Sequence, residues 1–176
     1  MTYTANRAGQ DAAMNRTPVR TTFDLGSEAT KNLSAALNAL LADMFALRIK
    51  TKSFAWHMSG PHFRDYHLLL DGHAKELHEP VDSIAERVRT MGADTLRSIG
   101  DISRRQRLLD NDADSPPPAD MLAELHEDNK QLSAYLRETH GICEEYGDAA
   151  SARLIEDVLD AAERRAWHLF QTTRSL

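Results

Sequence analysis

The sequence predicts an all-α fold, a four-helix bundle whose second and third helices are joined by a long crossover. Three observations carry this expectation. Apolar residues recur at steps of three and four through most of the chain, and strand-like alternation is scarce. The breaks between periodic segments are short in two places and long in one. At 176 residues the chain is long enough for one domain with a real core and too short for two comfortable ones.

The first helix is expected from Ser27 to about Met58, with Leu33, Leu37, Leu40, Met44 and Leu47 on one face. Ser27 is the candidate N-cap, and Gly60-Pro61 ends the run. The second runs from about His62 to Met91, with Gly92 as its stop and a stripe of Phe63, Tyr66, Leu70, Ala74, Leu77, Val81, Ile84 and Val88. Pro80 lies inside it and removes a backbone donor, so a local kink is expected there. The third follows Pro116-Pro117-Pro118 and carries Leu122, Leu125, Leu132, Leu136 and Cys143. The fourth follows Gly147-Asp148, with Asp148 as cap, and carries Ile155, Val158, Ala162 and Leu169. Short turns make helices one and two, and helices three and four, antiparallel pairs. Residues 93–117 are long enough to cross the whole bundle, which marks ferritin-like rather than simple up-down topology. Within them Leu96, Ile99, Ile102 and Leu109 suggest a short helix.

Residues 1–22 show no apolar periodicity and read as a mobile tail, leaving 23–176 as the bundle domain. The tail holds Arg7, Arg16 and Arg20 against Asp11 alone, in a chain of net charge −6. The overall charge argues against general nucleic-acid binding. Basic tails on many copies of one particle can still add up to DNA contact through avidity. No stretch reaches the roughly 18 apolar residues of a membrane span, and the N-terminus lacks an apolar signal-peptide core. A lone cysteine, Cys143, suits a reducing compartment, so a cytoplasmic location, including the nucleoid, is expected.

Five of the eight histidines fall between His57 and His78, among Asp65, Asp71, Glu76, Glu79, Asp82 and Glu86. Imidazole and carboxylate together suit iron, zinc or manganese, although a surface cluster without a task has the same composition. Ferritin-like bundles commonly build an internal di-metal site from Glu-x-x-His pairs on two helices. No histidine here has a glutamate three residues before it; before His168, for example, that residue is Arg165. The internal site therefore lacks essential ligands. On helix two, His67 shares the inward stripe, Asp71 lies one turn on, and Asp82 and Glu86 form an i, i+4 pair. The 15 residues from His67 to Asp82 span roughly 22 Å of helix, too far for one ion. Two copies of helix two, antiparallel across a twofold axis, would bring His67 of one to Asp82 and Glu86 of the other.

The run from Trp56 to Asp71, WHMSGPHFRDYHLLLD, and the later Asp82-Ser83-Ile84-Ala85-Glu86-Arg87 before Met91-Gly92 resemble the signature of the Dps family of miniferritins. The resemblance extends from about residue 27 to the end and includes Trp167. It implies a homo-oligomeric shell of twelve subunits with an iron-oxidising site at each twofold interface. It assigns His67, Asp82 and Glu86 to that site, adds Asp71 as an auxiliary ligand and places Trp56 beside it. Iron(II) would be oxidised there, preferably by hydrogen peroxide, and stored as ferric mineral. The resemblance also implies acidic threefold pores, for which Glu144, Glu145 and Asp148 are candidates beside the plainer reading of a capped helix start.

One position departs from the pattern. The family's second ligand histidine, directly before the tryptophan, is Ala55 here, and a methyl group binds no metal. His57 does not replace it, because two helical residues differ by about 200° of rotation. Weakened iron oxidation with shell assembly preserved is the expectation. Two other classes stay open: a DNA-coating protein with little iron chemistry, and a plain helical scaffold if the chain is monomeric.

Overall fold

The computed structural model describes residues 25–174, so the expectations for the N-terminal tail, with Arg7, Arg16 and Arg20, lie outside the described residues. The elements follow the order α1 (Ser27–His57), α2 (Phe63–Glu76), α3 (Val81–Thr90), α4 (Ile99–Arg105), α5 (Pro118–Glu145) and α6 (Ala149–Thr173). Helices α2 and α3 together make the bundle's second member, and α4 lies in the crossover. The pairs α1 with α2–α3 and α5 with α6 pack side by side, and α1 contacts α5 to join them.

The local chemistry explains the boundaries. Ser27 is the first helical residue and not the cap; that position belongs to Gly26, whose φ of 78° places it in the left-handed region. The expected kink at Pro80 is a break. Residues 77–80 form turns, because Pro80 has no N–H to return to the carbonyl of Glu76, and Val81 starts afresh with Pro80 as its cap. Pro118 opens α5 at a position where a missing N–H costs nothing. Asp148 caps α6 as expected, its side chain accepting from the Ser151 N–H at 3.1 Å. Gly147 before it has a φ of 67°, which allows the tight reversal between α5 and α6. Ser98 caps the short α4 in the same way, through the N–H of Asp101.

The core is one cluster of aliphatic side chains from all the long helices, including Leu33, Leu37, Leu47, Leu70, Ile84, Leu122, Leu136, Ile155 and Leu169. Phe63 departs from its expected inward place and is exposed, at the very start of α2.

Two buried ion clusters fix the crossover. Asp43, fully buried on α1, accepts from the backbone N–H groups of Arg107 (2.5 Å) and Leu108 (3.2 Å) and from the Arg107 guanidinium (2.6 and 2.9 Å). The same guanidinium lies 3.7 Å from the Tyr135 ring centroid on α5. Further along α1, Lys50 donates to Glu124 at 2.9 Å and to Asp128 at 2.8 Å, and Glu124 also accepts from Asn111 of the crossover.

A third polar group lies between α2, α5 and α6. Arg165, 1% exposed, donates through Nε to Asn129 Oδ1 at 2.9 Å and approaches Glu76 at 3.6 Å. Burial lowers its pKa to about 10, so it stays a cation at neutral pH. His73 is buried beside it and stacks on His168 with ring centroids 5.7 Å apart. Burial, then the charges of Arg165 and His168, pushes the His73 pKa down to about 3.

Two outcomes follow. Asp43→Ala leaves two N–H groups and the partly exposed Arg107 guanidinium without their buried acceptor and should destabilise the fold by about 2 kcal/mol, read by urea denaturation. For His73, an ordinary imidazole titrates near 6.5 in the unfolded chain, whereas the folded one stays neutral down to about 3. The unfolded state thus binds the extra proton, and stability falls as pH drops through that window by about 1.4 kcal/mol per unit. Replacing His73 with Phe should remove that part of the slope in denaturation curves between pH 6.5 and 4.

Candidate metal centre

His67 sits on the second turn of α2, partly buried, with its ring 5.4 Å from that of Phe63. Its Nδ1 lies 2.8 Å from the carbonyl oxygen of Ala55. A carbonyl only accepts, so Nδ1 carries the proton and Nε2 keeps its lone pair for a ligand. Such a bond orients a metal-binding imidazole and fixes its tautomer. The sequence motif joins the two residues across twelve positions because the Gly60-Pro61 turn folds the start of α2 back against the end of α1. Ala55 itself is fully buried, whereas Trp56 next to it is 62% exposed.

Asp82 and Glu86 lie one turn apart on α3, and both are exposed. The neighbouring arginines are engaged elsewhere. Arg87 bonds to Asp148 at 2.5 Å and to Ser151 at 2.9 Å on α6, and Arg89 bonds to Asp94 at 2.9 Å. Neither Asp82 nor Glu86 forms an ion pair among the described residues. The result is a pair of solvent-facing carboxylates, suited to a hard cation that also takes a nitrogen ligand.

Asp71 is in a different state. Lys52 of α1 donates to it at 2.5 Å and Lys75 of α2 reaches its other oxygen at 2.9 Å. These two bonds, that with Lys52 first, lower its pKa to about 2. It stays a carboxylate through the ordinary pH range, and a metal would have to displace a lysine to use it. Lys52 also lies 5.6 Å from the Trp56 ring centroid. Sequence reasoning did not single out Lys52. Its spacing of four residues before Trp56 is the one signal that could have pointed to it.

No group of three or more His, Cys, Asp or Glu side chains converges on a metal position among the described residues. A single chain thus presents two separate sets of donors, His67 on α2 and the Asp82–Glu86 pair on α3. Of the pore candidates, Glu144 and Glu145 are exposed near the end of α5. Asp148 is 3% exposed, held by Arg87 and Ser151 and committed to capping α6. These contacts are those of the plainer reading of Asp148, a capped helix start. Cys143 is buried, its thiol pushed up to about 11 by burial and then by the Asp148 charge, and is unreactive at neutral pH. Among the described residues no helix is long and apolar enough to cross a membrane.

Comparison with known proteins agrees with this geometry. Residues 34–175 match the model of the ferritin-like domain. A low-temperature-induced protein of Nostoc is 33% identical over 85% of this chain and 84% of its own length. The DNA protection during starvation protein of Agrobacterium fabrum is 32% identical over 82% of this chain and 87% of its own. Among solved structures, DpsC from Streptomyces coelicolor superposes with a TM-score of 0.84 at 27% identity, covering 89% of this chain and 91% of that one. By the matching domain, the related sequences and the shared architecture, the chain belongs to the Dps family of ferritin-like proteins.

Proposed function

We propose that this protein binds and oxidises iron(II) as a homo-oligomeric shell, twelve subunits in the family's pattern, and stores the ferric product. The reactive site forms between two copies: His67 of one with Asp82 and Glu86 of the other. The observation that carries this reading is the complementarity of the half-sites. The Ala55 carbonyl holds the His67 ring so that Nε2 is left for a metal, and the facing type of donor, two exposed carboxylates, is kept clear of Arg87 and Arg89.

In the reaction, two iron(II) ions each give up one electron. With hydrogen peroxide as the oxidant, the O–O bond breaks and takes both electrons, and two protons complete two waters. The chain's part is to bind the ions side by side, neutralise their charge with Asp82 and Glu86, and fix the tautomer of His67. Ala55 supplies no ligand where the family carries a histidine, so iron affinity and rate are lowered while assembly is kept. Asp71, tied to Lys52 and Lys75, contributes only if those lysines are displaced.

A second reading, DNA coating with little iron chemistry, is favoured by the name of the Agrobacterium relative. It would rest on Arg7, Arg16 and Arg20 in the N-terminal segment. Steep loss of DNA binding with added salt, and its loss on deletion of residues 1–22, would support it.

For the iron reading, anaerobic loading followed by peroxide should give a slow ferric absorbance in this chain. His67→Ala and Asp82→Asn should each slow it by a further ~10- to 100-fold without dissociating the particle. Because Ala55 is fully buried, Ala55→His must push its neighbours aside; where that variant assembles, it should oxidise iron faster than the parent. Parent kinetics no different from a protein-free control, and unchanged by His67→Ala, would leave DNA coating as the better account.

A further inference from the structure

The middle of the bundle holds a group of polar side chains that the iron reading does not use. Three of the four buried side-chain polar atoms without a hydrogen-bond partner among the described residues are gathered there: His73 Nε2, Glu76 Oε2 and Arg165 Nη2. All four long members of the bundle meet at this point. Helix α2 brings His73 and Glu76, α5 brings Asn129, and α6 brings Arg165 and His168. Met44 of α1 lines the adjoining cavity of about 280 Å³ with Glu76, Glu79, Asp157, Arg164 and Arg165.

A ferritin-like bundle with an internal pair of metal ions holds them between its four helices, with one carboxylate from each of two helices and a Glu-x-x-His from each of the other two. Here that pattern is broken, in its charges and, on α2, in the order of its residues. Helix α6 reads Arg165-x-x-His168, so the position of the carboxylate carries a cation. Helix α5 presents Asn129, whose Oδ1 accepts from Arg165 Nε at 2.9 Å. Helix α2 reads His73-x-x-Glu76, and its carboxylate lies 3.6 Å from Arg165 Nη1 and 4.0 Å from an Arg164 nitrogen. The two histidines remain, stacked at 5.7 Å with their planes within 13°.

We propose that the guanidinium of Arg165 is a tethered cation standing in the bundle's internal metal position, so that the interior of each subunit is closed to metal ions. Two physical reasons support this. A divalent ion entering between Glu76 and the two imidazoles would meet a buried positive charge that cannot move into solvent, because Arg165 is 1% exposed and anchored by Asn129. Glu76, the one carboxylate of the cluster paired with Arg165, already has its charge balanced there and gains little by exchanging it for a metal. The inference concerns the inside of one subunit and stands whether or not the interface site oxidises iron.

Removing the cation should reopen the position. Arg165→Glu completes a set of two carboxylates and two imidazoles with Glu76, His73 and His168. Arg165→Met keeps the length of the side chain without its charge and leaves three of those ligands. The probe is cobalt(II), counted by equilibrium dialysis and located by anomalous diffraction from soaked crystals. The parent should show no cobalt between α2 and α6. Arg165→Glu should gain about one to two ions per subunit at that place. Arg165→Met should gain a weaker site, and adding His168→Ala to either variant should abolish the gain. Cobalt at His73 and His168 in the parent, persisting after His67→Ala, would overturn the proposal. So would variants that assemble as the parent does and take up no more cobalt than it.

Discussion

The fold hangs on how the crossover between α3 and α5 is held. A chain of some 25 residues with a seven-residue helix in it has little apolar surface of its own to bury, and α4 contains no buried residue. It is fastened instead by charge and hydrogen bonding at Asp43, where one buried carboxylate satisfies two backbone N–H groups and a guanidinium that also covers Tyr135. Lys50, two turns along α1, repeats the device with Glu124 and Asp128 and draws Asn111 in through Glu124. Because both anchors are on α1, the crossover is held to the helix that links the two antiparallel pairs. The cost of burying these charges is offset only by their near-complete pairing, which makes the geometry specific as well as stable.

The same economy of charge shapes the candidate metal centre. Arg87 follows Glu86 directly in sequence, yet its guanidinium crosses to α6 and holds the Asp148 cap. One interaction thus serves two ends: it docks α3 on α6, and it keeps a cation away from the Asp82–Glu86 pair. On α2, the carbonyl of Ala55 orients His67 as a carboxylate or carbonyl orients many metal-bound imidazoles. Lys52 between Asp71 and Trp56 ties the end of α1 to the middle of α2. Ala55, Asp71 and His67 are thus joined by supporting bonds from both α1 and α2.

The interior of the bundle shows the complementary choice. Where two acidic helices would need metal ions to coexist in a low-dielectric core, Arg165, Asn129 and Glu76 reach near neutrality with protein groups alone. His73 and His168 stay as a stacked pair of rings. An inward-pointing arginine is rare in a helix core, and here it is tolerated because its partners come from two other helices.

Much of this was legible in the sequence by itself. Period-3.6 stripes, proline and glycine stops and the lengths of the connections determined the helices, the two antiparallel pairs and the crossover, because these depend on local backbone chemistry and on which face must leave water. The absence of any Glu-x-x-His was likewise readable from spacing, and the family motif singled out the proposed donors His67, Asp82 and Glu86. Tertiary structure alone decided which charges meet. Pairings such as Asp43 with Arg107, Arg87 with Asp148, Lys52 with Asp71 and Arg165 with Asn129 join residues 19 to 64 positions apart. A long side chain has many rotamers and several candidate partners within reach. Only the packed backbone selects one of them, because burial makes an unpaired charge too costly to leave.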